Sequence, residues 1–117
     1  MNNYEPNTYP MNLNPEPFKA IKYGKKDIEM RLNDPRRKII RPGDIIEFVE
    51  TKTGELLYCC VVALYPFPSF DELYEAFEKE RLGYGVNEEA KPEDMMRFYS
   101  EQDIDKWGAL AIEIERI

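Results

Sequence analysis

The sequence contains no histidine, and its only two cysteines, Cys59 and Cys60, are neighbours. The first absence excludes a His-based catalytic triad and His-ligated zinc. Adjacent cysteines cannot staple distant parts of a fold, and on a strand their side chains leave opposite faces. Joint metal chelation is therefore excluded, and a reducing compartment is expected. No window approaches the ~20 apolar residues of a membrane span, and the N-terminal MNNYEPNTYPMNLNPEP has neither the basic stretch nor the apolar run of a signal peptide. A cytoplasmic protein is the expectation. Gly83-Tyr84-Gly85 lacks the Gly-Lys-Ser/Thr sequence of a phosphate loop, and the acidic clusters around Glu88, Glu93 and Glu101 match no EF-hand spacing. No metal and no cofactor are expected.

What is present suffices for one core. With 117 residues, 43% hydrophobic and 13% aromatic, the chain reads as a single domain. Its net charge of −7 is unevenly spread. Between Lys19 and Arg41 nine Lys/Arg face three acids, a local balance of +6 inside an acidic protein. Extended electrostatic coating of a duplex does not fit that balance, whereas a small anion or a few nucleotides held at one basic face does. Intramolecular neutralisation of the acidic helices is the plainer alternative.

Residues 1–12, rich in Asn, Pro and Tyr, read as a loose arm or an edge segment, with residues 13–117 as the folded domain. Pro15, Pro17, Phe18 and Ile21 before Gly24 predict a helix over 16–23. Ile28, Met30 and Leu32 alternate with Asp27, Glu29 and Arg31, the pattern of a half-buried strand. Asn33–Lys38 is a charged turn, and Ile45–Glu50 with Leu56–Leu64 around Lys52-Thr53-Gly54-Glu55 reads as a β-hairpin. Ser69 and Glu72 form a capping box for a helix to about Arg81. Lys91–Asp94 opens another helix, Ser100–Trp107 is a polar connection, and Ala109–Ile117 is the last strand. The order favours an α+β domain on a small, mostly antiparallel and partly closed β-barrel with short flanking helices.

The segment Gly24-Lys25-Lys26-Asp27-Ile28-Glu29-Met30-Arg31 places a carboxylate and a guanidinium two apart on the outward side of a strand, with lysines at its entrance. Such a cluster can read a base edge or hold a phosphate; a surface salt-bridge ladder is the alternative. Trp107, before Gly108, can floor a cleft and stack on a base, or close the barrel.

These residues, with Met11-Asn12-Leu13, Pro17–Ile21, Arg36-Arg37-Lys38, Pro42–Phe48, Tyr65–Leu73 and Trp107–Ile112, resemble the ASCH domain, named for homology to activating signal cointegrator 1. The most specific part is G-x-K-x-x-E-x-R, realised as Gly24, Lys26, Glu29 and Arg31. The resemblance implies a PUA-like β-barrel associated with RNA binding and a cleft lined by Lys26, Glu29 and Arg31. Lys25, Arg36, Arg37 and Lys38 are then expected to place phosphates at its rim. RNA, or a modified nucleoside or nucleotide, is the expected partner. A branch of the superfamily resembles an amidohydrolase of acylated cytidine that uses a lysine and a threonine three residues later. Lys26 matches that lysine, but the threonine position is Glu29, which argues against the same mechanism. If the protein is nevertheless a metal-independent hydrolase, Lys26 and Glu29 are the candidates, with Glu29 made basic by burial or by Glu78 or Glu80. A protein-interaction domain presenting its acidic helices is the third reading. Where relatives carry a histidine before Met-x-Leu, this chain has Tyr9-Pro10.

Overall fold

The computed structural model describes residues 5–117, in which five strands form one curled sheet, an incompletely closed barrel. They are β1 (Thr8–Leu13), β2 (Ile28–Leu32), β3 (Ile45–Glu50), β4 (Leu56–Phe67) and β5 (Ala109–Arg116), in the order β1-β3-β4-β5-β2. Only β1 and β3 run parallel; the other three pairings are antiparallel. The helices are α1 (Pro15–Lys22), α2 (Pro35–Lys38), α3 (Phe70–Ala76) and α4 (Glu101–Trp107), with a 3-10 helix over Pro92–Arg97. No helix among the described residues is long and apolar enough to cross a membrane.

Two cores lie on opposite faces of this sheet, and β5 serves both because its residues alternate in size. Leu110, Ile112 and Ile114 fill the barrel interior with Phe18 and Ile21 of α1, Ile46, Phe48 and Val61. Ala109 and Ala111 face the other way, and their small side chains let α3 approach the sheet, where Phe70 and Leu73 pack with Ile28, Leu32 and Met95. Cys59 is buried and Cys60 half-exposed, as their opposite faces require.

Part of the expected arm belongs to the sheet. Residues 8–12 take the edge-segment form, and Met11 enters the barrel core; Met1–Tyr4 lie outside the described residues. Asp44 anchors this edge: one carboxylate oxygen accepts from the Asn7 amide at 3.0 Å, the other from the Arg41 amide at 2.8 Å. The Gly43-Asp44 turn, with Gly43 at φ 93°, thus holds the start of β1 to the start of β3. Pro10 is tolerated because β1 pairs on one side only.

Three helices differ from expectation. The charged turn at 33–38 winds into α2, capped by the Asp34 side chain accepting from the Arg37 amide. Ser100 caps α4 by accepting from the Asp103 amide, where a connection was expected. Conversely, α3 stops at Ala76 because Phe77 turns to extended backbone, φ −130° and ψ 151°, and sets its ring edge-on to Tyr65 and Phe67. The chain beyond it then folds against β2, and the Arg81 carbonyl accepts from the amides of both Asp27 and Ile28 at 3.1 Å.

Gly108, at φ 77°, has room for no side chain: a Cβ there would lie 2.7 Å from the Phe67 carbonyl oxygen. Gly108→Ala is expected to cost ~2 kcal/mol or more in urea denaturation. Burial pushes the Cys59 thiol up to about 11, so alkylation of the native protein near pH 8 is expected to modify Cys60 first and Cys59 only on unfolding; peptide mapping reads the order.

Candidate functional site

The sheet's two edges, β1 and β2, face each other across the barrel's open seam, and one side chain bridges them. Arg31, on β2, donates through Nη2 to the Asn12 carbonyl of β1 at 2.8 Å and through Nε to Glu29 at 2.7 Å. Glu29 in turn lies 3.4 Å from the Lys26 ammonium, which donates to the Leu82 carbonyl at 2.9 Å. Lys26 and Glu29 are buried, 4% and 5% exposed. The strand register explains this. Glu29 stands opposite Ile112 and Arg31 opposite Leu110, both core residues of the barrel interior, so the polar face of β2 points inward. The alternation of β2 is as expected, but the carboxylate and guanidinium occupy the barrel side and not an outer surface. Asp27 precedes the strand and pairs outside with Arg81 at 2.9 Å.

The loop after α3 supplies what the lysine needs. Gly83, at φ 106°, packs so closely on the Lys26 stem that a Cβ would meet it at 3.1 Å, and this brings the Leu82 carbonyl within reach of the ammonium.

The electrostatics follow from burial and pairing. Burial lowers the Lys26 pKa, and the attraction of Glu29 does not fully offset it. Burial alone would raise Glu29, but Arg31 and then Lys26 outweigh it and hold the carboxyl below its ordinary value. Burial works against the charge on Arg31 too, yet Glu29 and the nearby Tyr99 leave its pKa raised. The condition under which Glu29 becomes a general base, a pKa raised by burial or by Glu78 or Glu80, is not met. Neither of those glutamates lines the cleft, and Glu29 is held ionised between two cations.

Above this chain of charges opens a cleft of about 440 Å³. Lys26, Glu29 and Arg31 form its polar floor, Asn12 and Thr51 one side, and Tyr74, Tyr84, Phe98 and Tyr99 an aromatic wall. On the other side of Arg31 lies a second groove, lined by Tyr9, Pro10, Met11, Asn12, Arg31, Arg36, Arg37, Ile39 and Ile40, with no acidic residue among them. Arg37 is tied to Asp34 at 2.7 Å, while Arg36 is exposed and forms no ion pair among the described residues. Lys25 is exposed and lines neither opening. Lys38 lies over the Trp107 ring at 5.6 Å and Lys106 at 4.9 Å. Trp107 packs against the α3-side core, on the face of the sheet away from the barrel interior, and lines neither opening, so it neither floors the cleft nor closes the barrel. Asn12, Tyr74, Leu82, Tyr84 and Tyr99 escaped sequence reasoning; they meet the signature only through folding, and their aromatic spacing reads as core. No three His, Cys, Asp or Glu side chains among the described residues are grouped to hold a metal ion.

The ASCH domain model matches residues 11–117, nearly the whole chain. The chain belongs to the ASCH domain family. It is 36% identical to the hypothetical protein PH0355, with a TM-score of 0.79 and coverage of 94% of this chain and 99% of that one. Protein PF0455 from Pyrococcus furiosus is 37% identical, with a TM-score of 0.72 and 94% and 97% covered. ASCH from Zymomonas mobilis shares the fold at 19% identity and a TM-score of 0.59, with 92% and 66% covered. No curated protein matches.

Removing the Glu29 charge would leave Lys26 and Arg31 buried without their counter-ion. Glu29→Gln is expected to cost about 3–5 kcal/mol, and adding Lys26→Met is expected to recover part of it in urea titrations. Because folding lowers the Glu29 pKa, its contribution is complete above the unfolded value and is lost as pH falls below about 4.5. The stability gap between wild type and Glu29→Gln should narrow on acidification over that range.

Proposed function

We propose that this ASCH domain binds single-stranded RNA, or a nucleotide-sized piece of it, with a base in the aromatic-walled cleft and phosphates along the neighbouring basic groove. The observation that carries the reading is the continuity of the two openings through Arg31, which lines both. A cavity of this size suits one base or nucleoside, and aromatic walls accept its flat face. A groove with three arginines and no carboxylate, on a protein of net charge −7, fits a phosphodiester chain. In this assignment Lys26 and Arg31 offer donors from the cleft floor to base carbonyl or phosphate oxygens. Glu29 keeps both cations in place, and Arg36 and Arg37 carry the backbone. Lys25 and Lys38 are left a peripheral electrostatic role.

Hydrolysis of an acylated nucleoside fits these residues less well. The position that needs a hydroxyl nucleophile holds a carboxylate locked in two ion pairs.

Fluorescence anisotropy of short single-stranded RNAs at low and moderate salt tests the reading. Saturable, salt-sensitive binding is expected. Arg36→Ala should weaken every sequence about equally and reduce the salt slope by about one. Absence of binding, or binding indifferent to Arg36, overturns it.

A further inference from the structure

The cleft wall carries a hydrogen-bond chain whose direction is fixed. The Tyr84 hydroxyl lies 2.7 Å from Asp94 Oδ2 and 3.3 Å from the Lys91 carbonyl. A phenol has one proton, and both of these partners accept, the Asp94 carboxylate being paired with Arg97 at 3.7 Å. The Tyr84 proton therefore points away from Tyr74. The two hydroxyls nevertheless stand 2.9 Å apart, so Tyr74 must be the donor between them. Burial raises the pKa of both phenols, which keeps both protonated at neutral pH. With its proton committed to Tyr84, the Tyr74 oxygen can only accept from anything else.

We infer that Tyr74, polarised through Tyr84 and Asp94, is a specificity residue that presents an acceptor to the ligand and so selects a base whose exocyclic amino group stands beside a ring acceptor on the same edge, cytosine or adenine, over uracil. The floor supplies the complementary donors, Lys26 and Arg31, for a ring carbonyl or ring nitrogen. A uracil carbonyl in the same place would set lone pairs against lone pairs and leave the Tyr74 oxygen unsatisfied, the kind of mismatch that discriminates strongly. Tyr74, Tyr84 and Asp94 all line the cleft. This inference rests on the base-in-cleft reading above.

The test compares octacytidylate with octauridylate, which carry the same backbone charge and differ at the base position in question. Wild type is expected to bind octacytidylate about tenfold more tightly. Tyr74→Phe keeps the ring and its packing against Tyr84, and should bring the two affinities within about twofold, mainly by weakening octacytidylate. Tyr84→Phe releases the Tyr74 proton, so Tyr74 can donate, and should shift the preference toward octauridylate. Thermal melts of both variants check that they fold. Binding of both oligonucleotides without discrimination, or a preference unchanged in Tyr74→Phe, overturns the inference and leaves the RNA-binding reading standing. Binding of neither overturns both.

Discussion

The fold turns on a buried chain of charges laid across the gap in its barrel. A sheet whose edges do not meet leaves unpaired backbone groups along both edge strands. Here Arg31 of β2 reaches the Asn12 carbonyl of β1, and the guanidinium is itself held by Glu29, which is neutralised in turn by Lys26. Burying three charges costs more desolvation than their attraction returns unless the remaining donors are satisfied, and the Leu82 carbonyl and Asn12 carbonyl satisfy two of them. That arrangement constrains the loop after α3 and the glycine at position 83.

The same arrangement makes the seam suitable for a ligand. A gap closed by one polar side chain, and not by hydrogen bonding along its length, remains open above and below that side chain. The cleft and the basic groove are those two openings. The ion pairs pre-position Lys26 and Arg31, so in the proposed binding mode their donors are ordered before a ligand arrives and the entropy of fixing long side chains is not charged to binding. The two openings differ in charge: Glu16, Glu88 and Asp94 are among the residues that line the cleft, whereas the groove has Arg31, Arg36 and Arg37 and no carboxylate.

Much of the scaffold was legible because it follows from periodicity. The β3–β4 hairpin announces itself by two β-branched and aromatic runs around Gly54, and β5 by the alternation of Leu110, Ile112 and Ile114 with Ala111 and Glu113. The signature residues were legible by identity but not by environment. Alternation places Glu29 and Arg31 on one face without saying which face is inside, and only pairing with Ile112 and Leu110 decides that. The aromatic wall was illegible for a related reason. Tyr74, Tyr84 and Tyr99 lie in three separate segments, and nothing local tells a core aromatic from one that edges a cleft. The early end of α3 depends on Phe77 meeting Tyr65 and Phe67, contacts that helical periodicity does not anticipate. The α4 cap at Ser100 was readable in principle, since Asp103 follows at the right spacing, but the surrounding charges masked it.

The central claim is that ligand enters the seam between β1 and β2. Titration of ¹⁵N-labelled protein with a short single-stranded RNA, followed by amide shift changes, tests it most directly. The account predicts the largest changes at Asn12, Lys26–Arg31, Gly83 and Tyr99, continuing to Arg36 and Arg37. Changes confined to the outer sheet face around Tyr58, Val62 and Tyr65, with the seam amides unmoved, would contradict it.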